Sequence, residues 1–350
     1  MLNVLFASDN NYTPFLSIAI VSLLEHNQSE FDEINIFILD DGISEENGIK
    51  LKKLLDGYKC NVTFIKTKQL DELDIAIMTI ERNINISSLT AYARLFICNL
   101  LPKNIEKILY LDCDSIIVGS LKELWMEDIT DYYCAGVLDC MNTTIKQEHG
   151  FSRDDDYINS GVLLINLKKW RQDNVEEEFI EFMIQNQHRF YQHDQGIINN
   201  VFKNKIKIVD PRYNLAIHFQ TFDYDLSRKF NCIETEYYSK EIIEEAQKHP
   251  VFLHFCGSEY FRPWYNPEHP YAPLFKKYAE LVGCEDIIDY TVPLPQKHVM
   301  FYRAMANPIG KIILKLIPTS IVQNMINKNA LQGLKEDNLK AQELCSDNNK

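Results

Sequence analysis

Short apolar runs alternate with polar interruptions along the chain, and the spacing within each run predicts its element. Leu2 to Ala7 reads as a buried strand. The polar turn Ser8-Asp9-Asn10-Asn11-Tyr12 follows, with Thr13 as helix N-cap and Pro14 at the first helical position. The helix runs to about Glu25. Asn35 to Leu39 predicts a second strand. Ser44 caps a helix with Ile49, Leu51, Leu54 and Leu55 at helical spacing and Gly57 as its stop. Asn61 to Ile65 predicts a third strand, and a helix is expected near Ala91 to Leu100. Strands alternating with helices argue for an α/β fold with a mostly parallel sheet. Further on, Ala135 to Leu138 and Ser160 to Leu167 read as strands. Asn174 to Gln187 and His193 to Phe202 read as helices, while Pro211 to Lys248 reads as irregular and aromatic.

The run from Ile108 to Val118 carries the first chemical signal. It is apolar except for Asp112 and Asp114, one residue apart. Side chains alternate faces along a strand, so both carboxylates point the same way if the strand continues through them. Like charges on one face call for a cation, and carboxylates suit Mg²⁺ or Mn²⁺. A divalent ion at a strand end suggests a phosphate-bearing substrate. Two enzyme classes fit: a nucleotide-sugar transferase, and a Mg²⁺-dependent phosphohydrolase with a nucleophilic Asp. The phosphohydrolase needs a later Gly-Asp pair, and the chain contains none. There is also no Gly-rich phosphate loop, so a metal must neutralise any diphosphate.

A second constellation is His254-Phe255-Cys256-Gly257, followed by Arg262-Pro263-Trp264. A lone His after Val251-Phe252-Leu253 is usually a core residue. Here Gly257 permits close backbone approach and Arg262 is a phosphate-competent cation. Two Asp and one His form a mixed oxygen and nitrogen site suited to Mn²⁺.

Charge and cysteine content narrow the setting. A net charge of −14 over 350 residues argues against nucleic acid as partner. Nine cysteines are scattered with no Cys-x-x-Cys pair, which predicts reduced, buried thiols in a cytosolic protein. No charged leader precedes the first apolar run. The Phe15 to Leu24 stretch is too short to span a bilayer. The C-terminal region differs: Lys297 to Lys335 holds six Lys or Arg and no acidic residue. Ile309, Ile312, Ile313, Leu314, Leu316, Ile317, Ile321, Val322, Met325 and Ile326 are interleaved with them. Residues 297–335 therefore suit an anionic membrane surface, or a helix docked on the core with its lysines in solvent. The tail after Glu336 reads as polar and frayed.

Six segments together resemble glycosyltransferase family 8, in particular its bacterial lipopolysaccharide galactosyl- and glucosyltransferases. They are Phe6 to Tyr12, Thr90 to Leu95, Leu109 to Asp114, Asn159 to Leu167, His193 to Gly196 and His254 to Trp264, in the family's order. The resemblance implies a GT-A fold, Rossmann-like in its nucleotide-sugar binding, with residues 1–288 as the catalytic domain. Residues 289–350 form the helical, basic C-terminal region. It implies a UDP-sugar donor, Mn²⁺ or Mg²⁺, and retention of anomeric configuration. By the same resemblance Ala7, Asp9, Asn11 and Tyr12 hold the uridine. Asp112, Asp114 and His254 ligate the metal. Arg94, Asn159, Asp194 and Gln195 contact the donor sugar, and Gly257 and Arg262 face the diphosphate. The spacing from Gly257 to its cation is longer than in the family, and the cation is Arg rather than Lys.

A retaining double displacement needs a carboxylate nucleophile, but the matching position is the amide Gln195. Front-face attack by the acceptor is therefore expected, with Gln195 and Asp194 orienting the donor and Asp139 touching the acceptor. The acceptor class is a saccharide or glycolipid of the cell surface. The location expected is cytoplasmic, peripheral on the inner face of the membrane. The non-enzymatic alternative is a nucleotide-sugar-binding protein that has lost turnover.

Overall fold

The structure is a computed structural model that describes residues 1–67, 90–186, 192–234, 237–329 and 331–332. Nine strands occur among them: β1 (Leu2–Asp9), β2 (Ile34–Asp41), β3 (Asn61–Lys66), β4 (Lys107–Leu111), β5 (Ser115–Ile117), β6 (Cys134–Leu138), β7 (Ile158–Asn166), β8 (Ile206–Ile208) and β9 (Phe252–His254). Seven form a sheet in the order β3-β2-β1-β4-β7-β6-β8, and β5 and β9 form a separate pair. The sheet is mostly parallel. Only β7 runs against its neighbours, β4 and β6.

Both faces of the sheet are covered, which explains the near-continuous apolar strands. Val4, Phe6, Leu109 and Leu111 pack with Leu16, Ile20 and Leu23 of the Thr13–Asn27 helix. The alternate residues Leu5, Ile108 and Tyr110 pack with Leu95, Trp170, Phe179 and Ile197 on the other face. Period-two alternation thus divides each central strand between two cores.

The expected unbroken strand from Ile108 to Val118 is two strands in two sheets. β4 ends at Leu111, and Ser115 begins β5 opposite His254. The Thr13–Asn27 helix fixes this break through polar groups buried on its face. Ser22 Oγ accepts from the Ile117 N–H at 3.0 Å. Asn27 Oδ1 accepts from the Leu121 N–H at 2.7 Å, and its Nδ2 donates to the Gly119 carbonyl at 3.2 Å.

Other expectations shift. The first helix is capped one residue early, at Tyr12, because Asp9 Oδ1 already accepts the Tyr12 N–H at 2.8 Å and shapes the turn. Ser44 does cap the second helix, Glu45–Leu55. The helix near Ala91 shrinks to Thr90–Ala93 and a 3₁₀ turn, Arg94–Phe96. The described residues of the Pro211 to Lys248 stretch hold a 3₁₀ turn, Pro211–Tyr213, and three short α-helices, Ile217–Thr221, Tyr224–Phe230 and Lys240–Lys248. The last two are capped by Asp223 and Ser239. Gln187 and the tail after Glu336 lie outside the described residues. Eight described cysteines are free, but Cys60, Cys140, Cys256 and Cys284 are only partly buried, against the expectation of burial.

The C-terminal region does two things. The Gln296–Ala306 helix docks, with Val299 and Met305 packed near Phe222 and Phe261, and Tyr302 stacked 4.5 Å from Tyr260. The following helix, Pro308–Leu316, leaves Ile309, Ile312, Ile313 and Leu316 between 57% and 77% exposed. A helix over Thr319–Asn329 follows it at a 90° bend, and no single described helix is long and apolar enough to cross a membrane.

Candidate active site

The site lies where β1, β2 and β4 end, the edge at which open α/β sheets bind ligands. Asp112 extends β4 by one residue, its N–H donating to the Gly161 carbonyl at 2.9 Å. Cys113 then points inward, with Sγ 3.2 Å from the Ala7 carbonyl. Asp112 and Asp114 are left on the opposite side, partly buried. His254 meets them from β9, its Nε2 3.5 Å from Asp112 Oδ2 and 3.2 Å from Asp114 Oδ1. One ligand atom from each residue lies within 4.8 Å of the other two. The expected convergence therefore occurs, but across a junction between sheets rather than along one strand.

Arg94 is the main cation beside this cluster. It is buried, with Nη2 2.9 Å from Asp112 Oδ1 and Nε 3.3 Å from Asp194 Oδ2. Its guanidinium covers the Tyr110 ring at 3.9 Å, and Tyr110 donates to Asp112 Oδ1 at 2.7 Å. A helix-surface ion pair, the simplest role for an isolated Arg, is thereby ruled out. Asp194 and Gln195 are likewise buried at the start of the His193–Val201 helix rather than exposed in its first turn.

Gln195 is saturated. Its Oε1 accepts from Asn159 Nδ2 at 3.1 Å and the Ser160 N–H at 3.0 Å, and its Nε2 donates to Asp139 Oδ2 at 2.7 Å. Asn159 Oδ1 in turn accepts from Asn214 Nδ2 at 2.7 Å, and Asn214 Oδ1 faces His254 Nδ1 at 3.2 Å. With Nδ1–H directed at Asn214, Nε2 faces the two carboxylates and is the nitrogen a metal would take in place of its proton. The donor set and its orientation therefore fit a divalent cation.

The glycosyl transferase family 8 profile matches residues 3–267. The chain belongs to that family. A Haemophilus influenzae protein assigned provisionally to the glycosyltransferases is 33% identical, over 74% of this chain and 72% of its own. A lipopolysaccharide 1,2-glucosyltransferase of Escherichia coli is 28% identical, over 75% of this chain and 73% of its own. Among solved structures, the galactosyltransferase LgtC, crystallised with donor and acceptor sugar analogs, superimposes with a TM-score of 0.62. It is 26% identical, and the match covers 85% of this chain and 99% of LgtC. The fold is thus GT-A.

In this family 8 glycosyltransferase the remaining expected residues border the same edge. Ala7 lines the end of β1, and Asp9 holds the turn that carries the exposed Asn11 and the partly covered Tyr12, 39% exposed. Gly257 has φ +94°, a conformation that favours glycine. Arg262 carries a buried Nε with no hydrogen-bond partner, a donor left over for an anion. Burial opposes ionisation of Asp114, yet His254 and then Arg262 hold its carboxyl below the usual range. Burial also opposes a charged His254, but Cys256 and Asp114 keep its imidazole well above the ordinary histidine range. Burial raises Tyr12, with Asp114 adding to the effect and Arg262 opposing it. Burial also raises Asp139 and Asp194, against their hydrogen-bond and Arg94 partners.

Two residues escaped the sequence reading. Asn214 sits in the stretch taken as irregular, with no periodicity to mark it. Gly161 lies inside a strand motif, where only the structure reveals its neighbour: a Cβ there would stand 2.4 Å from His254 Cε1.

Proposed function

We propose that this glycosyltransferase is retaining and metal-dependent, moving glucose or galactose from a UDP-sugar to a saccharide or glycolipid acceptor such as lipopolysaccharide. The observation that carries this reading is the Asp112, Asp114 and His254 cluster, with Arg262 beside Asp114 and its buried Nε without a hydrogen-bond partner. A Mn²⁺ or Mg²⁺ ion held there would supply Lewis-acid stabilisation to the leaving UDP. Ala7, Asp9, Asn11 and Tyr12 are assigned to the uridine; a Tyr face can stack on a base and a carboxylate can accept its N–H. Gly257 and Arg262 are assigned to the diphosphate.

The donor sugar is assigned to Asn159, Asp194 and Gln195. Arg94 spends its guanidinium on Asp112, Asp194 and the Ser160 carbonyl, so we assign it to holding those carboxylates in place. A carboxamide is a poor nucleophile, and both ends of Gln195 are already bonded. This supports front-face transfer: the acceptor hydroxyl attacks C1 on the face that UDP leaves, and its proton passes to the departing diphosphate. Asp139, bonded to Gln195, is assigned to the acceptor side.

Residues 1–288 form the catalytic unit in this proposal, and 289–350 the surface-binding region. Exposed Ile309, Ile312, Ile313 and Leu316 beside Lys311 and Lys315 support peripheral attachment to an anionic leaflet on the cytoplasmic side.

The test is UDP release from a panel of UDP-sugars with acceptor and Mn²⁺, with the anomeric configuration of the product read by NMR. Transfer should be lost in EDTA and in Asp114→Ala, whose circular dichroism should match wild type. Full activity of Asp114→Ala, or an inverted product, would overturn the proposal.

A further inference from the structure

Four hydrogen bonds run from His254 to Asp139, and every donor points the same way. His254 Nδ1 faces Asn214 Oδ1 at 3.2 Å, and Asn214 Nδ2 donates to Asn159 Oδ1 at 2.7 Å. Asn159 Nδ2 donates to Gln195 Oε1 at 3.1 Å, and Gln195 Nε2 donates to Asp139 Oδ2 at 2.7 Å. An amide has one donor end and one acceptor end, so no member can flip without breaking two bonds. Asp139 Oδ2 is the terminal acceptor, which sets the direction of the whole chain. Aligned amides also polarise one another, so the Asp139 end strengthens Asn214 Oδ1 as an acceptor.

The links come from β6's end, β7, the His193–Val201 helix, the loop after Pro211–Tyr213, and β9. Asn214 is the link that no motif marks. It is buried, 3% exposed, and both its side-chain atoms are used. Gly161 keeps the space clear: its Cα faces the Cε1 and Nδ1 edge of the imidazole, and its N–H binds Asn159 Oδ1 at 3.0 Å.

We infer that Asn214 is a positioning residue that orients the metal ligand His254 and ties it to the donor-sugar residues Asn159 and Gln195. This rests on the assignment of Asp112, Asp114 and His254 to a divalent ion. Asn214 does two separable jobs. Its Oδ1 fixes the imidazole, and its Nδ2 holds Asn159 in register with Gln195.

The separation gives the test. Mn²⁺ binding to the full chain is measured by calorimetry and by EPR, with and without UDP, for wild type, Asn214→Ala and Asn214→Asp. Asn214→Ala removes both jobs and should weaken Mn²⁺ by about 10–100-fold, the usual effect of losing a residue behind a metal ligand. Asn214→Asp is nearly isosteric and keeps an acceptor for the imidazole while losing the donor to Asn159. It should retain Mn²⁺ affinity within about threefold, since carboxylates serve the same role behind ligating histidines. Its KM for the UDP-sugar should nevertheless rise, because Asn159 and Gln195 have lost their anchor. Equal Mn²⁺ affinities in the two variants, or an Asn214→Ala affinity within about twofold of wild type, would overturn the inference. If Asn214→Ala does not fold, Asn214→Asp decides alone: a loss of Mn²⁺ affinity as large as that expected for Ala overturns it. Absence of Mn²⁺ binding in wild type would instead overturn the metal assignment, and the inference with it.

Discussion

Gly161 acts through the space it leaves. A methyl at its Cα would fall 2.4 Å from His254 Cε1 and 2.7 Å from Nδ1, far inside van der Waals contact. Gly161→Ala should therefore move the imidazole rather than merely crowd it. We expect a stability loss of about 1–3 kcal/mol, typical of overpacking, and Mn²⁺ affinity lower by roughly tenfold. Denaturant melts and metal titration would measure the two, and unchanged metal affinity would mean that the ring relaxes freely. Asp194 offers a different reading. Burial lifts its carboxyl above the ordinary range despite Arg94. Folding then favours the protonated acid. Its stabilising contribution is complete below the unfolded-state pKa and fades as pH rises through the higher folded value. Asp194→Asn should flatten the loss of Tm as pH rises above the ordinary carboxylate range of about 4. A slope equal to that of wild type would show that another group sets it. At this scale Asp112 and Asp114 were legible in the sequence because they interrupt an apolar run, and Arg94 through the family resemblance of its segment. Asn214 and Gly161 were not, because their roles depend on a neighbour forty or more positions away along the chain.

Among the elements, the junction between β4 and β5 decides where the chemistry sits. The apolar pattern located both strands but could not reveal that they belong to different sheets, since alternation of faces continues across the break. What fixes the break is the Thr13–Asn27 helix, through Ser22 and Asn27. Asn27 is fully buried and bonded at both ends of its amide. Asn27→Ala should cost about 1–3 kcal/mol, by leaving the Leu121 N–H and the Gly119 carbonyl unsatisfied. Urea unfolding checks the figure, and a neutral result would mean water replaces the side chain. The short helices between Pro211 and Lys248 were illegible for a related reason. Ile217–Thr221 and Tyr224–Phe230 are too brief to display helical periodicity, and Phe219 packs on Tyr224 and Tyr237 in other segments rather than along one face of its own helix.

Across the whole molecule, the first 265 residues and the C-terminal segment follow different rules. The catalytic part buries apolar residues on both faces of one sheet, a pattern that sequence conveys well. The C-terminal segment was ambiguous between a docked and an exposed helix, and the structure divides it between the two. Because the Gln296–Ala306 helix packs near Tyr260 and Phe261, and Leu314 and Val322 beyond it also face the body, the exposed face alone is removed by substitution at Ile309, Ile312, Ile313 and Leu316. Replacing Ile309, Ile312, Ile313 and Leu316 by Ser should reduce partitioning to anionic vesicles and leave UDP release with a soluble acceptor near the wild-type rate. Unchanged flotation with such vesicles would locate any membrane contact elsewhere.

The switch of sheets between Asp112 and Asp114 also has a mechanical consequence. The candidate ligands sit at the end of β4, at the start of β5 and on β9, so an ion between them would act as a rivet joining the two sheets. Ligand binding stabilises a fold by about 2.7 kcal/mol at a concentration one hundred times its dissociation constant. Here that increment would be concentrated at one seam. Chelation should then loosen the small sheet against the large one, seen as faster amide exchange in β5 and β9, while the interior of β1, β2 and β4 keeps its protection.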